Sequence, residues 1–256
     1  MTGASGRRIL DPVSDLPLVL PLETSRQLAA SLDREGKIGR ALEGLGPIGG
    51  CDVVVVGGGP AEIARLTTAG ARITSVDAIP SDGAAALRDE SADAIVTAWA
   101  GFRGVDASAL AEADRILRPG GRLLVVHDYG RDDVSRLRGD LVEYGAWSRK
   151  NGPYLTNGFK MRVLHCFWTF DTIEAARAFL GEAFGADGEA MGAALKRPRL
   201  SWNVAVYHRT KGGESAAASE VADAADAAEV GDTPHTLSPA AATAGFAAKS
   251  ATTASS

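Results

Sequence analysis

The stretch Asp52 to Leu66, "DVVVVGGGPAEIARL", constrains the chain most, because four valines run straight into three glycines, a proline and a helical pattern. A strand that is valine at every position has no polar face, so it must be buried on both sides. The pattern then repeats. "ARITSVD", "ADAIVTAW", "RLLVVHD", "KMRVLHCFWTF" and "LSWNVAVYHR" read as further strands. Between them, "PAEIARLTTAG", "DASALAEADRILRPGG", "RDDVSRLRGDLVEYG" and "TIEAARAFLGEAFG" read as helices. Strands alternating with helices mean an α/β fold whose parallel sheet is covered on both faces. About six strands favour an open, doubly wound sheet over a barrel. The last strand follows its helix closely and is expected to run antiparallel.

The two ends differ from this middle. Residues 24–45 carry Leu28, Leu32, Ile38, Leu42 and Leu45 on one stripe, which predicts one helix stopped by "GLGPIGG". Residues 212–256 are rich in Ala, Ser and Thr with one aromatic, so they are expected to be a disordered tail. The expected organisation is therefore an N-terminal helical extension (1–48), one α/β domain (49–211) and that tail. From Lys211 onward six acids face two lysines, which accounts for −4 of the net −5. The body is near neutral and has no Lys/Arg run, which speaks against nucleic acid as a main partner. No apolar run approaches a membrane span, and the N-terminus does not read as a signal peptide. Cys51 and Cys166 form no CxxC pair, and a cytoplasmic location is the expectation.

Gly57-Gly58-Gly59 falls at the carboxyl end of the first strand, where open parallel sheets bind ligands. Glycine lets a ligand approach the backbone, and the following helix offers free N–H groups at its start. A dinucleotide fingerprint would need a small residue at position 62, which is Glu62. The nucleoside version uses Gly57, Gly59 and position 61, where Ala61 is the smallest departure. Asp77 ends the second strand twenty residues after Gly57, and an acid there can accept from both ribose hydroxyls.

"VVVVGGGPAEIARLTTAGARITSVD", "SADAIVTAW" and above all "LRPGGRLLV" (117–125) resemble the class I S-adenosylmethionine-dependent methyltransferases over roughly residues 52–209. The resemblance implies a Rossmann-like sheet whose seventh, antiparallel strand is "RPRLSWNVAVYHR". It implies S-adenosylmethionine as cofactor, held by Gly57, Gly58, Gly59, Ala61, Asp77 and Ala78, with Thr97 and Trp99 in the loop bordering the methyl group. It implies transfer to a small-molecule acceptor. Two departures stand out. The family's acid two residues before the first glycine is Val55 here. Only fifteen residues separate Asp77 from Asp93, room for a short helix at about 82–87 but not for the usual third strand. A degenerate fold serving as a binding or regulatory module, or another nucleotide-using enzyme, stays open as an alternative.

No residue declares itself catalytic. Methyl transfer is largely positioning, and a base is needed only if the acceptor loses a proton. His127, Asp128 and Tyr129, at the carboxyl end of the "RLLVVHD" strand, are the candidates for that position. The aromatic and cationic stretch 144–160 reads either as an acceptor pocket or as a loop pinned to the core by its rings. Four scattered histidines and no ligand-spaced carboxylates argue against a metal. The N-terminal helix could cover the site's mouth or mediate a homodimer.

Overall fold

Val53 to Val56 are buried on both sides of their strand, Val53 and Val55 toward one face of the sheet and Val54 and Val56 toward the other. The computed structural model describes Leu16 and residues 18–139 and 142–213; the expected tail lies outside them beyond Gly213. The elements in chain order are α1 (Leu22–Ser31), α2 (Lys37–Glu43), β1 (Asp52–Val56), α3 (Pro60–Thr68), β2 (Arg72–Val76), α4 (Asp82–Ala85) and β3 (Ala92–Ala98). They continue with α5 (Ala107–Ile116), β4 (Leu117–Asp128), α6 (Asp133–Arg138), α7 (Val142–Trp147), α8 (Pro153–Thr156), β5 (Lys160–Thr169), α9 (Ile173–Ala194) and β6 (Arg199–Thr210).

The six strands form one sheet in the order β2-β1-β3-β4-β6-β5. β2, β1, β3 and β4 are parallel, and β6 runs antiparallel between β4 and β5. One face packs Leu28 of α1, Leu42 of α2, Leu66 of α3, Val134 of α6 and Phe179 of α9 in a continuous core. The other packs Ala84, Ala113, Tyr144 and Tyr154 from α4, α5, α7 and α8. This is the doubly wound sandwich that the valine runs demand.

Four local expectations need correction. The N-terminal stripe forms two helices, because Asp33 and Gly36 adopt left-handed backbone and the Asp33 carboxylate accepts from the Lys37 and Ile38 N–H groups, starting α2 afresh. Leu32 between them bridges to Trp168 at the edge of β5. The helix expected over 131–145 is also two pieces, with Gly139 at φ 78° after α6. Pro119-Gly120-Gly121 does not simply stop a helix. Leu117 already pairs with Ala92, the next pairing is Arg122 with Ala94, and the residues between bulge out of the ladder. α9 runs on past the expected stop, kinked at Gly185.

The 78–92 segment behaves as its length requires. Ser81 caps α4, only four residues long, and the chain returns directly to β3. β2 is left as a sheet edge with Arg72, Thr74 and Ser75 exposed.

Candidate functional site

The chain leaves β1 through α3 on one face to reach β2, then crosses over α4 to β3 on the other side of β1. The direction therefore switches at the carboxyl ends of β1 and β3, where this architecture leaves a crevice. Gly57 sits at that point in left-handed conformation (φ 59°), its N–H donating to the Val76 carbonyl at 2.8 Å and its backbone exposed. Beside it, Asp77 is exposed, and among the described residues no group pairs with its carboxylate. Gly59 caps α3 in extended conformation, Ala61 in the first turn is exposed, and Ala78 is exposed next to Asp77.

The glycines also have internal reasons to be glycine. A Cβ at Gly57 would lie 2.6 Å from the Ala100 methyl, and one at Gly58 would lie 2.2 Å from Cγ1 of Val55. Val55 thus fills the space over the turn where the family's acid would reach. Glu62 is buried in the first turn of α3 and paired with Arg65.

The loop after β3 lies across from this turn and is held firmly. Thr97 is buried, and its hydroxyl accepts from the Gly101 N–H at 2.8 Å. The ring of His127 meets the Gly101 carbonyl at 3.1 Å, and the Tyr154 hydroxyl donates to the Phe102 carbonyl. Trp99 turns inward, its ring stacked on Trp202 at 5.4 Å, while its main-chain N–H donates to the Val126 carbonyl. Trp99, Phe102 and Val105 all have φ between 55° and 59°. Left-handed backbone is unfavourable for bulky and β-branched residues and persists only where surrounding contacts over-determine it.

Asp128 supplies much of that constraint. Its Oδ1 accepts from the indole N–H groups of both Trp99 and Trp202 at 3.0 Å, and its Oδ2 pairs with Arg138. Three internal donors thus engage the carboxylate. His127 is fully buried, its Nδ1 without a partner among the described residues, and packs against Trp147 at 5.0 Å. Burial, helped by the Arg103 charge, pushes its pKa down to about 4, so the ring is neutral near neutrality. Tyr129 is half-buried beneath the Arg131 guanidinium, 5.7 Å from its ring.

The structure therefore brings Gly57, Gly58, Gly59, Ala61, Asp77 and Ala78 to one open rim. It places Thr97, Trp99, His127 and Asp128 behind the opposite rim as its supports. In the 144–160 stretch Tyr144, Trp147, Tyr154 and Phe159 are all buried in the core, so the loop is pinned by its rings. Sequence reasoning missed Arg138 and Trp202, the partners that engage Asp128. No local pattern signals them, because Arg138 lies ten residues and Trp202 seventy-four residues along the chain from Asp128.

No family model and no curated protein matches the sequence. Among solved structures the chain is similar to a SAM-dependent methyltransferase from Aquifex aeolicus, at 14% identity, over 73% of this chain and 98% of that one, with a TM-score of 0.41. It is also similar to geranyl diphosphate C-methyltransferase from Streptomyces coelicolor, solved with Mg2+, geranyl-S-thiolodiphosphate and S-adenosyl-L-homocysteine, at 14% identity, over 69% and 76%, with a TM-score of 0.40. Likeness at this level carries no weight for activity; the strand order carries the fold. With β6 antiparallel between β4 and β5 and the other strands parallel, the chain has the mostly parallel, Rossmann-like α/β fold that the sequence resemblance implies, without its third strand.

Proposed function

We propose that the chain binds S-adenosylmethionine at the rim formed by residues 57–61 and 77–78 and transfers its methyl group to a small-molecule acceptor. The observation that carries this reading is the exposed Asp77 carboxylate, without a partner among the described residues, beside the exposed Gly57 backbone at the switch point. An unpaired acid next to bare backbone suits a sugar with two adjacent hydroxyls, each able to donate to one carboxylate oxygen. The residues fit the ribose end of the cofactor well. They fit its amino-acid end less fully, because Val55 offers no polar atom where the family places an acid.

In this arrangement Gly57 to Gly59 and Ala61 border the cofactor, Asp77 grips its ribose and Ala78 adjoins the nucleoside. Thr97 and Trp99 act through the backbone of their loop. The bound sulfonium would supply an electrophilic methyl carbon. The protein's part is to position acceptor and donor and to exclude water, with no charged group needed at the carbon itself. Of the three candidates for a proton acceptor, Tyr129 is the one left partly open; His127 and Asp128 support the loop. No helix among the described residues is long and apolar enough to cross a membrane.

Calorimetric titration of the full chain with S-adenosylmethionine and S-adenosylhomocysteine tests this directly. Saturable heat with both is expected, and no heat at millimolar ligand would reject the reading. The second reading, a binding or regulatory module that no longer turns over, is favoured by one feature, the Val55 side chain packed over Gly58. Binding of the cofactor without methyl transfer to any offered acceptor class would select it.

A further inference from the structure

The two edges of the sheet are finished differently. At β5, the Asp33 N–H donates to the Phe167 carbonyl at 3.2 Å, Leu32 bridges to Trp168, and the Lys37 ammonium donates to the His165 carbonyl at 2.7 Å. Lys160 and Arg162 stand exposed along the rest of that strand. β2, beside the absent third strand, is the opposite edge. Alternate residues of a parallel strand direct their N–H and C=O groups to the same neighbour. The Arg72 N–H donates to the Cys51 carbonyl at 2.9 Å, and the Gly57 N–H to the Val76 carbonyl at 2.8 Å. Arg72, Thr74 and Val76 therefore face β1, while Ile73 and Ser75 turn their main-chain groups to the open side. Those groups have no partner among the described residues.

Native edge strands are blunted by lysine, proline or a bulge, because unpaired backbone recruits another strand. β2 has none of these. Its register with β1 is regular from Arg72 to Val76, and its one charge, Arg72, is paired with Asp52 at 2.7 Å. Apolar surface borders the edge as well. Ile73 on β2, Ile63 on α3 packed beside it and Ile79 just after it are each only partly buried. The strand also fits its own copy. Turned antiparallel about Thr74, two copies oppose Thr74 to Thr74, Ile73 to Ser75 and Arg72 to Val76, so no like charges meet. Threonine across from threonine is a favourable pair. Each outward pair of Ile73 with Ser75 can exchange both its N–H···O=C bonds. Such a two-fold pair is closed, because it uses the β2 edge of both copies while the β5 edges are already capped.

We propose that two copies of the chain associate through β2, antiparallel about Thr74, into one continuous sheet, with the second copy in the place of the absent third strand. Asp77 stands one residue beyond the paired stretch, so the pairing does not use the main chain of the cofactor rim. It does not depend on the methyltransferase reading.

The test is the molar mass of the full chain by light scattering after size exclusion, over a series of micromolar concentrations. A mass twice that of the chain is expected. Thr74→Lys opposes two ammonium groups and should weaken the dimer at least about tenfold. Thr74→Glu should do the same, and an equimolar mixture of the two variants should regain the dimer, since a lysine then meets a glutamate. Ser75→Pro removes an outward N–H, leaves the bonds to β1 in place and should give a monomer. Thr74 is exposed, so its variants should keep the circular dichroism of the parent. A monomeric parent overturns the proposal, as does a dimer that survives in both Thr74→Lys and Ser75→Pro. Loss of the dimer in Ser75→Pro alone, or a mixture that stays monomeric, overturns the register about Thr74. The readout is mass, so it stands whether or not S-adenosylmethionine binds.

Discussion

The two rims of the switch-point crevice are built on opposite principles. At the rim on β1 and β2, Gly57, Ala61, Asp77 and Ala78 are exposed, and the Asp77 carboxylate has no partner among the described residues. At the rim on β3 and β4, Thr97, Trp99, His127 and Asp128 are buried and hydrogen-bonded. One rim leaves its polar groups available; the other commits them to holding three left-handed residues in place. The contrast teaches that a carboxylate's neighbourhood decides its role. Asp77 and Asp128 each end a strand pointing toward the crevice, yet one is free to bind and the other is a structural clamp.

The comparison breaks most easily at the clamp. Asp128→Ala leaves Arg138 buried without its partner and two indole N–H groups unpaired, and should cost about 3–5 kcal/mol in chemical denaturation. A loss under about 1 kcal/mol would show that the buried rim is not held as described.

Next in size is the pH response of His127. Its folded pKa of about 4 lies below the ordinary value of 6.5, so the unfolded chain takes up a proton first as pH falls. The His127 contribution is complete above the unfolded value and is lost as pH drops from there to the folded one. It amounts to as much as about 3 kcal/mol. His127→Gln should flatten the stability profile in that window, and a profile unchanged by the substitution would contradict the burial argument.

At the open rim, Asp77→Ala should weaken S-adenosylmethionine binding by about 1–3 kcal/mol while leaving unfolding unchanged. A stability loss there with intact affinity would reverse the contrast between the rims. Gly57→Ala sharpens it at a smaller scale. The left-handed backbone should cost about 1–2 kcal/mol of stability, before any adjustment of Ala100.

Much of this molecule can be read from residue order because its central strands are apolar and punctuated. β1 and β4 carry valine and leucine runs, β3 is a run of Ala, Ile and Val, and the burial of both their faces follows from composition. The missing edge strand was legible as well, since fifteen residues cannot carry a strand between two helices. The breaks at Asp33 and in the 131–147 segment were not. Residues with positive φ stand at both, Asp33 and Gly36 at the first and Gly139 at the second, and periodicity does not register such dihedrals. The aromatic stretch at 144–160 gave two readings because rings serve pockets and cores alike. Only the packing of Tyr154 on Tyr207 and of Trp147 on His127 assigns them to the core.

The sequence by itself determined the layered α/β sheet, its glycine turn at the end of β1 and an acid at the end of β2, because these follow from local patterns and chain length. Tertiary structure alone decided which carboxylates are free. Charge state and availability depend on neighbours far along the chain, as Trp202 and Arg138 show for Asp128. A buried carboxylate must be paired to persist, and an exposed one need not be.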